Sequence, residues 1–510
     1  MVATVTSCDK DFEEINQNPN SPTEVPASLL LPTVIRGAVY EMAGLAWNYG
    51  NVVMQHTAKI QFTNEDRYNW GPQSDPYQEF FGLLRDVNNI YKLSEEQGDK
   101  NYMGVALVLK SWMFHVMTDT YGDLPYSQAL QAKDAVNFPE FDTQEAIYAG
   151  IISDLRDANT LLGSSSESVS GDILYGGEIS SWKKFANSLL LRIHMRLSDR
   201  NDPSTAMQSI LNDPATFPIF ESNADQAAIE FLPDAPNQQP LYTTRSGSFD
   251  EFRLSERMEG TLKTINDPRL FVYAQPTTDS DAGLVGVVDD YEGVPNGLAD
   301  EEALQYSPSG DPTKGGSNFI SRVGIMFACR ACNVELASPI AAQVVLMSYS
   351  ELQFVLAEAR ERGFITSGDA ATYYNNGVQA SFDYYESRLE LAAKDNTAYN
   401  DLVNIVQPAA SYFTQADVEY TGTQEERLEK IGTQKWIALF FNGLESWADW
   451  RRTGYPTITP GPAAVISNVP TRFQYPTGVQ ALNLEAYQAA IARQGSDDLA
   501  TRVWWDVNPN

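Results

Sequence analysis

The sequence predicts a mainly α-helical protein, a scaffold of tetratricopeptide-like helical hairpins interrupted by one large, irregular, loop-rich insert. Three observations predict this class. Apolar residues recur at helical spacing in long segments on both sides of the middle of the chain. Successive helical segments pair into hairpins of about 34 residues, although no clean repeat consensus recurs. Between about Phe217 and Met347 the helical period disappears, and Pro, Gly, Asp and Tyr dominate.

Taken in order, residues 1–23 form a first unit whose stretch DFEEINQNPNSPT is polar, turn-rich and suited to an extended arm. A first helical part covers 24–216. Leu29 to Met54 reads as a long apolar helix interrupted near Gly44 or Gly50, and Tyr77 to Leu93 places Phe80, Phe81, Leu84, Val87 and Ile90 on one side. The segment that organises the scaffold runs from Tyr102 to Leu130. Val105, Leu109, Trp112, Met113 and Val116 make its buried stripe, Gly122 ends the helix, and Pro125 fixes the exit direction. Thr143 to Leu162 is its hairpin partner through Ile147, Ile151, Leu155 and Ala158, and Ser181 to Asp199 pairs with Pro203 to Leu211. The insert covers 217–347, where Leu284 to Val288 is one of a few short apolar runs with strand character. A second helical part and C-terminal extension cover 348–510, with helices over Ser350 to Arg362 and Asp369 to Leu389. A single helix from Gln424 to Trp450 follows and is stopped at Gly454.

The chain carries 35 basic against 67 acidic residues, a net charge of −32. That balance argues against nucleic acid or an anionic membrane surface as the main partner, and fits a neutral ligand, a cation, or solubility in a salty medium. No run of about 20 apolar residues marks a bilayer-spanning helix. Cys329 and Cys332 read as a local disulfide that stiffens a loop, in preference to a redox centre. A zinc site would need two further ligands, and His56, His115 and His194 lie far off in helical contexts. No cofactor is expected, with structural calcium in the acidic insert loops as the one metal to consider.

The sequence lacks a G-x-S-x-G elbow, an H-E-x-x-H pair, a phosphate-binding glycine loop and a cysteine–histidine signature. Asp289-Asp290 and Asp300-Glu301-Glu302 are the densest acidic groups, and they read as solvated loops rather than a glycosidase pair. No catalytic residue is assigned, and the chain is not expected to be an enzyme. Binding of a neutral carbohydrate needs aromatic platforms bordered by amides, acids or arginine. Asn64, Asp66, Arg67, Tyr68 and Trp70 gather that set in the loop 63–77, and the insert offers Tyr242, Arg245, Tyr291, Asn296, Tyr306 and Phe319. For each group local packing stands as the alternative. Trp112, Trp436 and Trp447 have core spacing.

Several long stretches resemble the SusD/RagB family of Bacteroidetes outer-surface lipoproteins. They are Cys8 followed by DFEEINQNPNSPT, then MTDTYGDLPYSQAL, WKKFANS with LRIHMRLS, YEGVPNG, SYSELQFVLAEARERG and FFNGLESWADWRRTGYP, in the family's order and reaching from near the N-terminus to about Pro456. Val5-Thr6-Ser7-Cys8 also resembles a lipobox, which makes Cys8 the residue to be acylated and places the chain on the outer membrane at the cell surface. The membrane is then met through an N-terminal lipid only. The resemblance implies four tetratricopeptide-like helix pairs and an irregular glycan-binding face. It also implies a partner, a SusC-like TonB-dependent transporter that imports the captured oligosaccharide, and no catalysis. No individual binding residue carries over from the family. The glycan is taken as a neutral polysaccharide, with a laminarin-like β-glucan as one choice. A peptide cargo, or a docking scaffold without a ligand, are the other readings.

Overall fold

The computed structural model describes residues 25–244, 250–277, 283–307, 310, 320–330 and 336–507. Cys8 therefore lies outside the described residues, as do Arg245, Phe319 and Cys332. Helix α1 (Ala27–Leu45) runs into a π turn at Ala46–Gly50, which is where the interruption was expected. Strand β1 (Thr57–Lys59) follows, then α2 (Ser74–Gln97), α3 (Lys100–Tyr121) and α4 (Gln144–Leu161), and helices α1 to α4 pack in chain order. Local chemistry sets these bounds. The Asp99 carboxylate accepts from Tyr102 N at the start of α3, the Thr143 hydroxyl caps α4, and Gly122 ends α3 with φ +88°. Helix α5 (Ile179–Arg196) packs on α4 and carries α6 (Ser204–Asn212).

The described part of the insert is mostly irregular. It holds β2 (Ala227–Ile229), β3 (Phe252–Leu254), α7 (Glu256–Thr264) and β4 (Val344–Met347), together with short helical turns. β1 pairs antiparallel with β3, which ties the insert to the segment after α1, and β2 pairs antiparallel with β4, which joins the two ends of the insert. Leu284 to Val288 is not a strand. It forms a bend that enters a 3-10 turn at Val288–Asp290, and Val287 is left exposed.

Helices α8 (Tyr349–Glu361) and α9 (Ala370–Asp395) form a hairpin, α10 (Gln424–Ala438) packs on α8, α11 (Gly443–Thr453) follows, and α12 (Leu484–Gln494) lies in the C-terminal extension. The expected continuous helix from Gln424 to Trp450 is thus two helices. Phe441 takes φ +62° at the break, and Gly443 opens α11 against Gly50 of the π turn. A Cβ on Gly50 would stand 2.5 Å from the Gly443 carbonyl carbon, so the two backbones meet where no side chain fits.

Against the expectation from the sequence, Ala27–Val53 has the length and apolar composition of a membrane span. Leu31, Val34, Ile35, Ala38 and Val39 on it are buried, and α1 packs on α2, so here it serves as a core helix.

A buried ion network joins five of these helices. Arg192 of α5 donates to both oxygens of Glu351 at 2.6 Å, and Arg196 donates to both oxygens of Glu445 at 2.6 Å. Arg452 grips Glu358 at 2.6 Å and Asp449 at 2.9 Å, and Lys435 reaches Asp449 at 2.7 Å. Asp119 at the end of α3 completes the set, 3.2 Å from Arg196 Nε. Burial alone would raise Glu445, but Arg196 and Arg192 more than offset it and hold the carboxyl well below the usual range. The same balance keeps Glu358 and Asp449 ionised. Apart from Lys435, these charges sit in the stretches MTDTYGDLPY, LRIHMRLS, SELQFVLAEARER and FFNGLESWADWRRTGYP. Those stretches therefore specify how the scaffold helices meet.

Candidate functional site

A cleft of about 1070 Å³ opens between α7, the start of α10, and the segments around Gln55, Pro295-Asn296 and Thr459–Pro462. Thr261, Thr264, Thr433 and the buried amides of Gln55, Asn296 and Gln434 line it. Among the described residues, no aromatic ring is in its lining. The wall is a crossing of loops in which glycine allows close approach, since a Cβ on Gly461 would stand 1.9 Å from the Asn296 carbonyl oxygen.

Beside the cleft runs the loop from β1 to α2. Among the described residues seven non-glycine positions hold left-handed φ, and Gln55, Phe62 and Tyr68 are three of them. Such backbone costs about 1–3 kcal/mol per residue and persists where surrounding contacts over-determine it. Here the contacts are explicit. The Thr63 N–H and hydroxyl both donate to Asp300, at 2.8 and 3.0 Å. Lys59 N donates to Asp66 at 3.1 Å, and Arg67 Nε donates to the Ala463 carbonyl at 3.0 Å.

The sequence-derived residues separate into distinct fates. Trp70 and Tyr68 are not a sugar platform, because both rings are buried. Trp70 donates through Nε1 to the Glu65 carbonyl at 2.9 Å and packs edge-on against Tyr49, Trp447 and Phe473. Asp66 is buried as well and is bonded by Asn296, so it offers nothing to solvent; burial pushes its carboxyl up to about 6. Asn64 is exposed and accepts from the Asn69 amide at 3.0 Å, while Arg67 is half-buried. In the insert, Tyr291 is fully buried with its ring against Phe271. Asn296 lines the cleft, yet its amide is held by Thr57, Ser255 and Asp66. Tyr306 is half-buried on a small apolar cluster with Ala58, Ile60 and Val294. Tyr242 is half-buried in a short helix, Pro240–Thr243, away from the cleft lining. Cys329 is buried and disulfide-bonded.

In the loop from β1 to α2 the ring that faces solvent is Phe62, which is 66% exposed. Phe62 lies one residue before the loop 63–77 that the sequence marks out, and so falls outside the predicted site. Its available signal was an aromatic set alone between Gln61 and Thr63, outside any helical stripe. Leu304, next to the Asp300 helix that anchors Thr63, and Val465, whose N–H donates to the Arg67 carbonyl, are also exposed. An exposed ring with amides at its edge can stack on the C–H face of a sugar and bond its hydroxyls.

His115, Asp119 and Glu445 bring ligand atoms within 4.8 Å of one another, and among the described residues this is the one such group. It lies in the helical core rather than in the insert. Its oxygens are already taken: Asp119 accepts from Tyr148 and Trp505 and pairs with Arg196, which also holds Glu445. A divalent ion there would meet two guanidinium groups, so the arrangement suits an ion network and not a metal.

A family model described as SusD-like, starch-binding and associating with the outer membrane matches residues 19–476. Solved structures match over nearly the whole chain. A SusD homologue from Bacteroides fragilis is 27% identical, with 95% of this chain and 99% of that one covered at a TM-score of 0.78. A second from the same organism is 26% identical, covering 94% and 100% at 0.79. A chitin-binding protein is 30% identical, covering 95% and 100% at 0.73. No functionally curated protein sequence matches this chain.

Proposed function

The chain belongs to the SusD-like family of nutrient-binding, outer-membrane-associated proteins, and from that premise we propose that it captures a neutral oligosaccharide at the cell surface. It then delivers that glycan to a TonB-dependent outer-membrane transporter. The observation that carries this reading is the cleft of about 1070 Å³, polar, open and built from loops that the helical scaffold holds in place. A cavity of that size accepts several sugar units, and its threonines and amides match hydroxyl groups. Phe62 and Asn64 on the neighbouring loop extend the surface with a stacking ring and a polar edge. The function is binding and not catalysis. Acylation of Cys8 would tether the protein to the membrane by a lipid.

The similarity to a chitin-binding protein makes β-linked N-acetylglucosamine oligomers the first ligands to try, with laminarin-type β-glucan and starch beside them. The test is affinity electrophoresis through each polysaccharide, with Gly260→Trp run in parallel. Gly260 lines the cleft and its side-chain position opens into free space, so the indole fills the cleft without disturbing the wall. Retardation by one glycan that Gly260→Trp abolishes is the expected result. Retardation that survives would move the site elsewhere, and its absence with every glycan would overturn glycan capture in favour of peptide cargo or a docking role.

A further inference from the structure

The cleft walls carry charge of unequal availability. Four carboxylates line it, Glu256, Asp417, Glu426 and Glu429, against two bases, Arg257 and Lys430. The bases are turned into the wall. Lys430 Nζ donates to the Glu419 and Thr421 carbonyls at 2.8 and 3.1 Å, and Arg257 donates to the Thr457 carbonyl. Arg257 Nε, also buried, has no protein partner and remains one donor for a ligand oxygen. Glu426 is engaged at the start of α10, where it accepts from Thr423 N. Glu256, Asp417 and Glu429 are exposed, and among the described residues their carboxylates accept no side-chain bond and form no ion pair. The lining thus keeps an excess of two negative charges, and three of its carboxylates are free acceptors while the N–H donors of its two cations are turned mostly to backbone carbonyls.

Resting on the glycan-capture reading, we propose that this cleft selects glycans bearing free amino groups, such as a partly de-N-acetylated amino-sugar polymer, over fully neutral or anionic chains of the same length. Protonated amines on successive sugars would meet Glu256, Asp417 and Glu429 in turn, while hydroxyls bond the threonines and the Arg257 Nε–H. An acidic glycan would instead face a lining with four carboxylates against two cations, on a chain of net charge −32. Each exposed pair contributes modestly, so selectivity accumulates along the ligand rather than at one contact.

The experiment is isothermal titration of the full chain with three ligands of equal length: oligomers of β-linked N-acetylglucosamine, the same oligomers partly de-N-acetylated, and a carboxymethylated series. Titrations are made at mildly acidic pH in low and high salt, with the double variant Glu256→Gln, Glu429→Gln alongside. The amine-bearing series should bind roughly three- to tenfold tighter than the acetylated one in low salt. That advantage should shrink in high salt and be lost in the double variant, and the carboxymethylated series should bind weakest. Equal affinity for the acetylated and de-N-acetylated series would overturn amine selection while leaving glycan capture intact. A preference that persists in the double variant would overturn the assignment to these carboxylates. Binding of none of the three would count against the glycan-capture reading itself.

Discussion

Asn296 donates a 2.7 Å hydrogen bond to Asp66, joining the exposed loop after β1 to the insert segment that walls the cleft. Both residues have the chemistry of sugar ligands, and both spend it on each other. The bond is buried, and the partner groups Thr57, Ser255 and Lys59 N converge on the same point. Replacing Asp66 with Ala leaves one Asn296 amide N–H and Lys59 N without an acceptor. The expected loss is about 1–3 kcal/mol in denaturant unfolding, with glycan affinity falling because the Phe62 loop loses its anchor.

Phe62 and Trp70 should respond in opposite ways. Phe62→Ala removes an exposed ring and should shift stability by less than about 0.5 kcal/mol while weakening glycan binding. Trp70→Ala empties a site walled by Tyr49, Trp447 and Phe473 and should cost about 3–5 kcal/mol. Thermal unfolding and affinity electrophoresis on both variants separate the two roles, and strong destabilisation by Phe62→Ala would refute this assignment.

Gly50 and Gly443 permit no side chain. Ala at either one must push the π turn away from the start of α11, with an expected cost of about 1–3 kcal/mol or more. The double variant should cost less than the sum, because one displacement relieves both clashes; a double-mutant cycle measures the coupling.

Acidification should destabilise the protein through its buried histidines. Burial pushes His56 down to about 3 and His115 down to about 4, so both stay neutral in the fold while the unfolded chain takes up protons from about pH 6.5 downward. Stability is fully present above that value and is lost as pH falls toward 4, on the order of a few kcal/mol per residue. Asp66 and Glu41 work the other way. Burial raises them to about 6 and about 7, so their contribution is lost as pH rises through those values. His56→Phe, which keeps a ring between Trp436 and Phe440, should flatten the fall of Tm between pH 6.5 and 4.

The helices were legible because each needs only a local pattern. The stripe on α3, its stop at Gly122 and the start of α4 at Thr143 all come from neighbouring residues. The break before Gly443 was not legible, because its cause is Gly50, distant in sequence. Tyr68 and Trp70 failed for a related reason: an aromatic in a polar loop is exposed or buried according to what arrives over it, and here Trp447 and Phe473 come from the other end of the chain. The stretches that carried the family resemblance supply scaffold charges, so they identify the fold and not the ligand.

The buried ion network also bears on the order in which the chain can fold. Asp119, Arg192 and Arg196 are synthesised early, whereas Glu351, Glu358, Glu445, Asp449 and Arg452 come much later. Until α8 and α11 emerge, Arg196 has only Asp119 and Arg192 has no carboxylate of the network, and burying Arg192 unpaired is prohibitive. The N-terminal half must therefore wait, open and hydrated, for the C-terminal half. A nascent chain stopped before α11 should stay protease-sensitive throughout, and the two halves should gain protection together.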